Sequence, residues 1–242
     1  MTEQTSSQGG AGAESGPALP LRAVLFDLDG TLIDTVALIL ASMRHATEAV
    51  LGAALPDEVL MQGVGIPLDT QMRAISPDHA EELLLAYREH NWEVHDELIA
   101  EYPGTEEVLV ELARRGLPMG IVTSKSRRVA MRGIERFNLA RYFEVIVCSD
   151  DTEVHKPDPL PLELAADQLG VRLSQCAYVG DSPYDMQAAL AGGAYAIAAL
   201  WGASSAEEML APGPDVALES IAELSDVDTA RIAGQLGERV EH

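Results

Sequence analysis

Arg22-Ala-Val-Leu-Phe-Asp-Leu-Asp29, followed at once by Gly30-Thr31, is the stretch that decides the fold. Ala23 to Phe26 is apolar without alternation, so neither face of the segment is suited to water. That pattern predicts a strand of a parallel sheet covered on both sides. The run then stops at an acid, a leucine and a second acid, and Gly30-Thr31 turns the chain. Ligands of open parallel sheets bind where the strands end. Asp27 and Asp29 therefore stand where chemistry is expected.

Toward the C-terminus the same rhythm repeats. Met119-Gly-Ile-Val-Thr-Ser124, Val145-Ile-Val-Cys-Ser149, Ala177-Tyr-Val-Gly-Asp181 and Ala194–Leu200 read as strands. Helices are predicted over about Arg127–Phe137, Pro161–Leu169 and Tyr184–Ala191. Another is expected to run to Gly116, capped by Thr105, with Glu106 and Glu107 in its first turn where the helix dipole favours anions. The expected fold is α/β, a Rossmann-like parallel sheet with helices on both faces. Between Thr35 and Ile99 the texture changes. Val36, Ile39, Leu40 and Met43 fall at helical spacing, as do Leu83, Leu84, Tyr87, Asn91 and Val94, and Gly63-Val64-Gly65-Ile66-Pro67 breaks the stretch. A small all-helical module of about four helices is expected here. It would occupy 35–102, inserted after the first strand, with 19–34 and 103–242 forming the α/β core. Residues 1–18, rich in Gly, Ser, Ala and Gln, are expected to be disordered, and a short polar helix is expected from Asp226 onward.

Composition narrows the class. Of 242 residues, 16 are Lys or Arg and 39 are Asp or Glu, a net charge of −23. Such a surface repels phosphate backbones and anionic bilayers, so neither nucleic acid nor membrane is an expected partner. No apolar run is long enough for a membrane span, and the N-terminus lacks a signal-peptide pattern. Cys148 and Cys176 have no metal-ligand spacing and read as reduced core residues of a cytoplasmic protein. Only two of the basic residues are lysines, Lys125 and Lys156.

Asp27, Asp29 and Asp181, with Asp185 a helical turn further on, all fall on one rim of the expected sheet. Converging carboxylates repel one another unless a cation is present. An all-oxygen donor set suits Mg²⁺, which binds through a few carboxylates plus substrate phosphate. Thr123 and Lys156 add a hydroxyl and a compact ammonium that can hold a phosphoryl group. A carboxylate can itself be the nucleophile in phosphoryl transfer.

Four segments carry a resemblance. Asp27-Leu-Asp29-Gly30-Thr31-Leu-Ile-Asp34-Thr35, Val122-Thr123-Ser124-Lys125, Lys156-Pro157-Asp158-Pro159 and Val179-Gly180-Asp181-Ser182-Pro183-Tyr184-Asp185 resemble, in order, the motifs of the haloacid-dehalogenase superfamily. The resemblance spans residues 21–220. It implies that Asp27 is the nucleophile and that Asp29 is the general acid and base. It also implies Mg²⁺ held by Asp27, the Asp29 backbone carbonyl and Asp181. Thr123, Ser124, Lys156 and Gly30 would meet the phosphoryl group, and Asp185 would orient Lys156. Dehalogenases of the superfamily lack the second aspartate, so Asp29 favours phosphate chemistry. The helical insert resembles the cap of the phosphoglycolate-phosphatase and β-phosphoglucomutase branch. Tyr102-Pro103-Gly104, Lys156 to Pro161 and Trp201-Gly202 look most like phosphoglycolate phosphatases and related pyrophosphatases. The implied activity is a phosphatase acting on a small soluble phosphomonoester, phosphoglycolate first. The alternatives are a pyrophosphatase of the same branch, a sugar-phosphate mutase of the β-phosphoglucomutase kind, or a non-catalytic binder of phosphorylated ligands.

Each residue also has a plainer reading. Ser124 could cap the helix that follows, and Asp185 could cap its own. Arg127, Arg128, Arg132 and Arg136 could form a phosphate-binding patch, but read rather as a solvated helix face paired with acids. Gly63–Pro67 is either a loop that reads substrate or a simple break. Among the histidines, only His155, beside Lys156, falls near the candidate site. Lys125 lies in a motif without an evident role.

Overall fold

The structure, a computed structural model, describes residues 21–227. The tail expected to be disordered lies outside the described residues, as does nearly all of the helix expected from Asp226. Six parallel strands form the main sheet: β1 (Ala23–Phe26), β4 (Met119–Val122), β5 (Val145–Val147), β6 (Cys176–Gly180), β7 (Tyr195–Ala199) and β8 (Val216–Leu218), in the order β5-β4-β1-β6-β7-β8. The chain lays β4 and β5 on one side of β1, then returns to build β6 to β8 on the other. Ligands of such sheets bind where the order reverses, here around the end of β1.

Side chains alternate across β1, and each face has its own core. Val24 and Phe26 pack with Val108, Leu109 and Leu112 of α5 (Thr105–Arg114) and with Ala130 and Ile134 of α6 (Arg127–Arg136). Ala23 and Leu25 face the other way, toward α7 (Leu160–Gln168), α8 (Pro183–Ala191) and α9 (Ala206–Leu210). Covering both faces is what lets β1 be apolar throughout.

Between β1 and α5 lie α1 (Val36–Leu51), α2 (Asp57–Leu60), α3 (Leu68–Ile75) and α4 (Ala80–Val94). They enclose a third core of Ile39, Met43, Ala46, Leu60, Met72, Leu83 and Tyr87. Two short antiparallel strands, β2 (Ile33–Asp34) and β3 (Ala100–Glu101), tie the two ends of this insert together, with Ile33 opposite Glu101 and Asp34 opposite Ala100. Neither strand was expected, because two residues carry no periodicity; β8, three residues long, escaped for the same reason.

The expected helix cap at Thr105 needs correcting. Gly104, at φ 94°, is the N-cap, and Thr105 is the first helical residue, its hydroxyl donated to the Tyr102 carbonyl at 2.9 Å. The left-handed turn at Gly104 shifts the helix start back by one residue. Glu106 and Glu107 do fill the first turn. No helix among the described residues is long and apolar enough to cross a membrane, and both cysteines are free and buried.

Candidate active site

Three of the expected residues follow directly on strand ends: Asp27 after β1, Thr123 after β4 and Asp181 after β6. With Lys156 and Asp185 they are all buried. Lys156 Nζ lies 2.6 Å from Asp185 Oδ1, 3.0 Å from the Tyr178 hydroxyl and 3.2 Å from Asp27 Oδ1. Asp27 Oδ1 is within ion-pair reach of that ammonium yet receives no aligned hydrogen bond. A buried carboxylate oxygen without an aligned hydrogen bond is costly in a purely structural role. It suits an atom that must meet an electrophile or a cation.

The electrostatics agree. Burial pushes the Asp27 carboxyl up to about 7, against the pull of the Lys156 ammonium and with the help of Asp185 and Asp29. Asp181 is pushed well above the usual carboxylate range by burial, then by Asp27 and Asp185. Burial alone would weaken the hold of Lys156 on its proton, but Asp185 and Asp27 outweigh it and raise the ammonium above its ordinary range. One ammonium therefore faces three buried acids, an imbalance that a bound cation would relieve.

Among the described residues, Asp27, Asp181 and Asp185 form a group close enough to share a metal ion. Asp185 is already occupied. Its Oδ1 faces Lys156 and Tyr178, and its Oδ2 accepts from the Ser182 backbone at 3.0 Å and from the Ser182 hydroxyl at 2.6 Å. It serves as helix-cap partner and lysine anchor at once, leaving Asp27 and Asp181 freer for a cation. Asp181 is fixed by Thr31 at 3.3 Å and by the Ala203 backbone N–H at 2.8 Å.

Gly30 sits beneath this acid. A Cβ there would lie 2.0 Å from Asp181 Oδ2, and its φ of +72° already disfavours a side chain. Gly30, expected to meet phosphate, donates its N–H to the Ile33 carbonyl at 2.8 Å. The Ser124 hydroxyl donates to the Gly65 carbonyl at 2.6 Å. That contact draws the 63–67 loop down onto the rim. Thr123 Oγ1 accepts from the Lys125 backbone at 3.2 Å, which leaves its proton for another partner.

Lys125, whose role the sequence left open, forms an ion pair with Asp29. Tyr178, Ser182, Thr31 and Gly202, where a Cβ would lie 2.2 Å from Asp181 Cβ, were likewise given no role by the sequence. The tendency of buried polar atoms to find partners was the one hint at Tyr178, since it interrupts an otherwise apolar strand.

A cavity of about 560 Å³ opens over these groups, lined by Asp27, Asp29, Thr123, Lys125 and Asp181 below and by helical-insert residues above. Gly65 lies on this wall. A Cβ on it would fall 2.6 Å from Ser182 Oγ, at a φ of +108°. Ser182 is held by Asp185 and cannot yield, so the loop must lift. Gly65→Ala is expected to lower kcat/KM by about 10- to 100-fold through lost positioning. Stability should fall by only about 1 kcal/mol. Steady-state kinetics and thermal melts on the same samples check both. His155 lines the cavity, whereas His45, stacked on His90, and His95, bonded to Asp96, do not.

The sequence profile of the haloacid dehalogenase-like hydrolases matches residues 24–199. Pyrophosphatase PpaX of Halalkalibacterium halodurans is 34% identical over 209 residues, 86% of this chain and 97% of that protein. Pyrophosphatase PpaX of Bacillus velezensis is 36% identical over 202 residues, 84% and 94% of the two chains. The crystal structure of a hydrolase from Pseudomonas syringae superposes with a TM-score of 0.77 at 26% identity, covering 85% of this chain and 96% of that one.

Proposed function

The chain belongs to the haloacid dehalogenase-like hydrolases, and on that premise we propose that it hydrolyses a small soluble phosphate compound through an aspartyl-phosphate on Asp27. The observation that carries this reading is the buried Asp27 Oδ1, which faces the Lys156 ammonium at 3.2 Å without an aligned hydrogen bond, on the wall of the cleft. In the first step Asp27 attacks phosphorus, the bond to the leaving oxygen breaks, and Asp29 gives that oxygen a proton. In the second, Asp29 takes a proton from water as the water oxygen attacks the same phosphorus, releasing phosphate and restoring Asp27. Lys156 and Thr123 hold the phosphoryl oxygens, while Asp185 and Tyr178 keep Lys156 in place. Lys125 holds the Asp29 side chain.

The donor set fits a hard divalent cation, since the freest atoms are carboxylate oxygens with surplus negative charge. Asp27, the Asp29 backbone carbonyl and Asp181 would hold Mg²⁺. Bound there, it would neutralise charge on the phosphoryl group.

Two substrate readings stand. Pyrophosphate is supported by the named activity of relatives aligned over nearly their whole length. A small organic phosphomonoester such as phosphoglycolate is supported by a cleft of about 560 Å³, a size typical of organic-ligand pockets. Phosphate release is measured with and without Mg²⁺ over pyrophosphate, phosphoglycolate, nucleoside monophosphates, hexose phosphates and an aryl phosphate. Mg²⁺-dependent release is expected, and the ranking names the substrate. Glucose 6-phosphate formed from β-glucose 1-phosphate without release would point to the mutase. Silence on both counts would remove the enzymatic reading.

A further inference from the structure

The cleft is lined by arginines as well as acids. Arg88 of α4, in the insert, and Arg128 of α6, in the core, both line it. The chain has 39 acids against 16 lysines and arginines. Arg44, Arg73, Arg114, Arg115, Arg127, Arg132 and Arg141 each pair with an acid; of the described arginines that do not, Arg88 and Arg128 are the two that line the cleft. Among the described residues the Arg88 side chain has neither ion pair nor hydrogen bond, and the Arg128 side chain has only a ring contact.

That ring belongs to Trp92, whose indole centroid lies 4.2 Å from the Arg128 guanidinium carbon. Contact with the ring face fixes the plane of a guanidinium while leaving its in-plane N–H groups free to donate. The acids on the cleft wall do not compete for it. Asp29 pairs with Lys125, Asp69 lies 3.5 Å from Arg73, and Asp150 accepts the Arg127 backbone N–H at 2.8 Å. Arg132 is a built-in comparison. It too lies over Trp92, at 4.4 Å, and it bonds Asp96, yet it does not reach the cavity.

We propose that Arg88 and Arg128 form a subsite for a second anionic group of the substrate, a carboxylate or a further phosphate, carried by the molecule whose phosphoryl group meets Asp27. The inference rests on the phosphatase reading above and deepens it. Forked guanidinium groups suit both anions. The substrate class is thus a phosphate compound with a negative charge at each end, and the two arginines select it over singly headed esters.

The test uses two matched pairs, 2-phosphoglycolate against ethyl phosphate and pyrophosphate against methyl phosphate. The proteins are wild type, Arg88→Gln, Arg128→Gln and Arg132→Gln. In parallel, calorimetry follows binding of the same compounds to Asp27→Asn, which cannot turn them over. Wild type is expected to favour the doubly anionic member of at least one pair by tenfold or more in kcat/KM. Arg88→Gln and Arg128→Gln should each cut that preference at least fivefold, with little change on the singly headed member, and Arg132→Gln should leave it intact. A wild type without preference overturns the subsite, as does a preference that survives both variants. Loss of preference in Arg132→Gln to the same degree also overturns it, because the arginines would then act by docking the insert. If no compound is turned over but the doubly anionic ones bind at least tenfold more tightly, the phosphatase reading fails and the subsite stands. Absence of both turnover and selective binding overturns both.

Discussion

Asp27→Asn is expected to cut phosphate release by about 10⁴-fold or more, as loss of a covalent nucleophile does, while leaving the protein as stable as before or more so. The two halves have one cause. The wild-type carboxylate is buried beside Asp185 and Asp29, and burial lifts it to about 7 from its ordinary 3.8. A carboxyl whose folded value is raised holds its proton more tightly in the folded state. Its ionisation therefore opposes folding: the cost is absent below about 4, grows as pH rises toward 7, and is complete above that. Asparagine has the same shape and no such cost. In metal-free buffer the variant's melting temperature should match wild type at about pH 4 or below and exceed it increasingly up to about pH 8. Added Mg²⁺ should narrow that gap by stabilising wild type through binding. A gap that is constant with pH would mean that the Asp27 carboxylate is not strained, and the charge argument for the site would fall.

How much of this was legible in the sequence follows from where the information lies. Asp27, Thr123 and Asp181 each stand one residue beyond an apolar strand. A parallel sheet gathers its strand ends on one rim, so the rule that found the strands found the acids too. Lys156 was marked by rarity, as one of two lysines. The pairing of Arg127 with Asp151 and of Arg132 with Asp96 follows the expectation of a helix face matched by acids. Arg128, one residue along, turns instead to Trp92 and the cleft. What stayed hidden depends on contacts between distant parts of the chain. Lys125 meets Asp29 across 96 positions, and Ser124 meets Gly65 across 59. No local pattern encodes such pairs, because they exist only after the insert has closed over the sheet. Ser124 shows the consequence: nothing in its own motif points to the Gly65 carbonyl that its hydroxyl meets.

Lys156→Met is the counterpart of the Asp27 substitution, removing the cation where the other removes an anion. Methionine nearly matches lysine in length, so packing changes little, but Asp27 and Asp185 are left facing each other without compensation. Breaking one partner out of a buried ion pair costs about 3–5 kcal/mol. For a chain of this size each kcal/mol lowers the melting temperature by about 2–4 °C, so a loss of roughly 6–20 °C is expected, with phosphate release abolished. Destabilisation alone could mimic the loss of activity, and a second substitution separates the two. Asp185→Asn in the Lys156→Met background removes one of the stranded charges, so it should restore a good part of the lost melting temperature. It restores no ammonium to hold phosphoryl oxygens, so activity should stay absent. Recovery of both would make Lys156 a structural counter-ion only. Recovery of stability without activity is the result that the geometry requires, because Lys156 touches the nucleophile and its anchor through the same nitrogen.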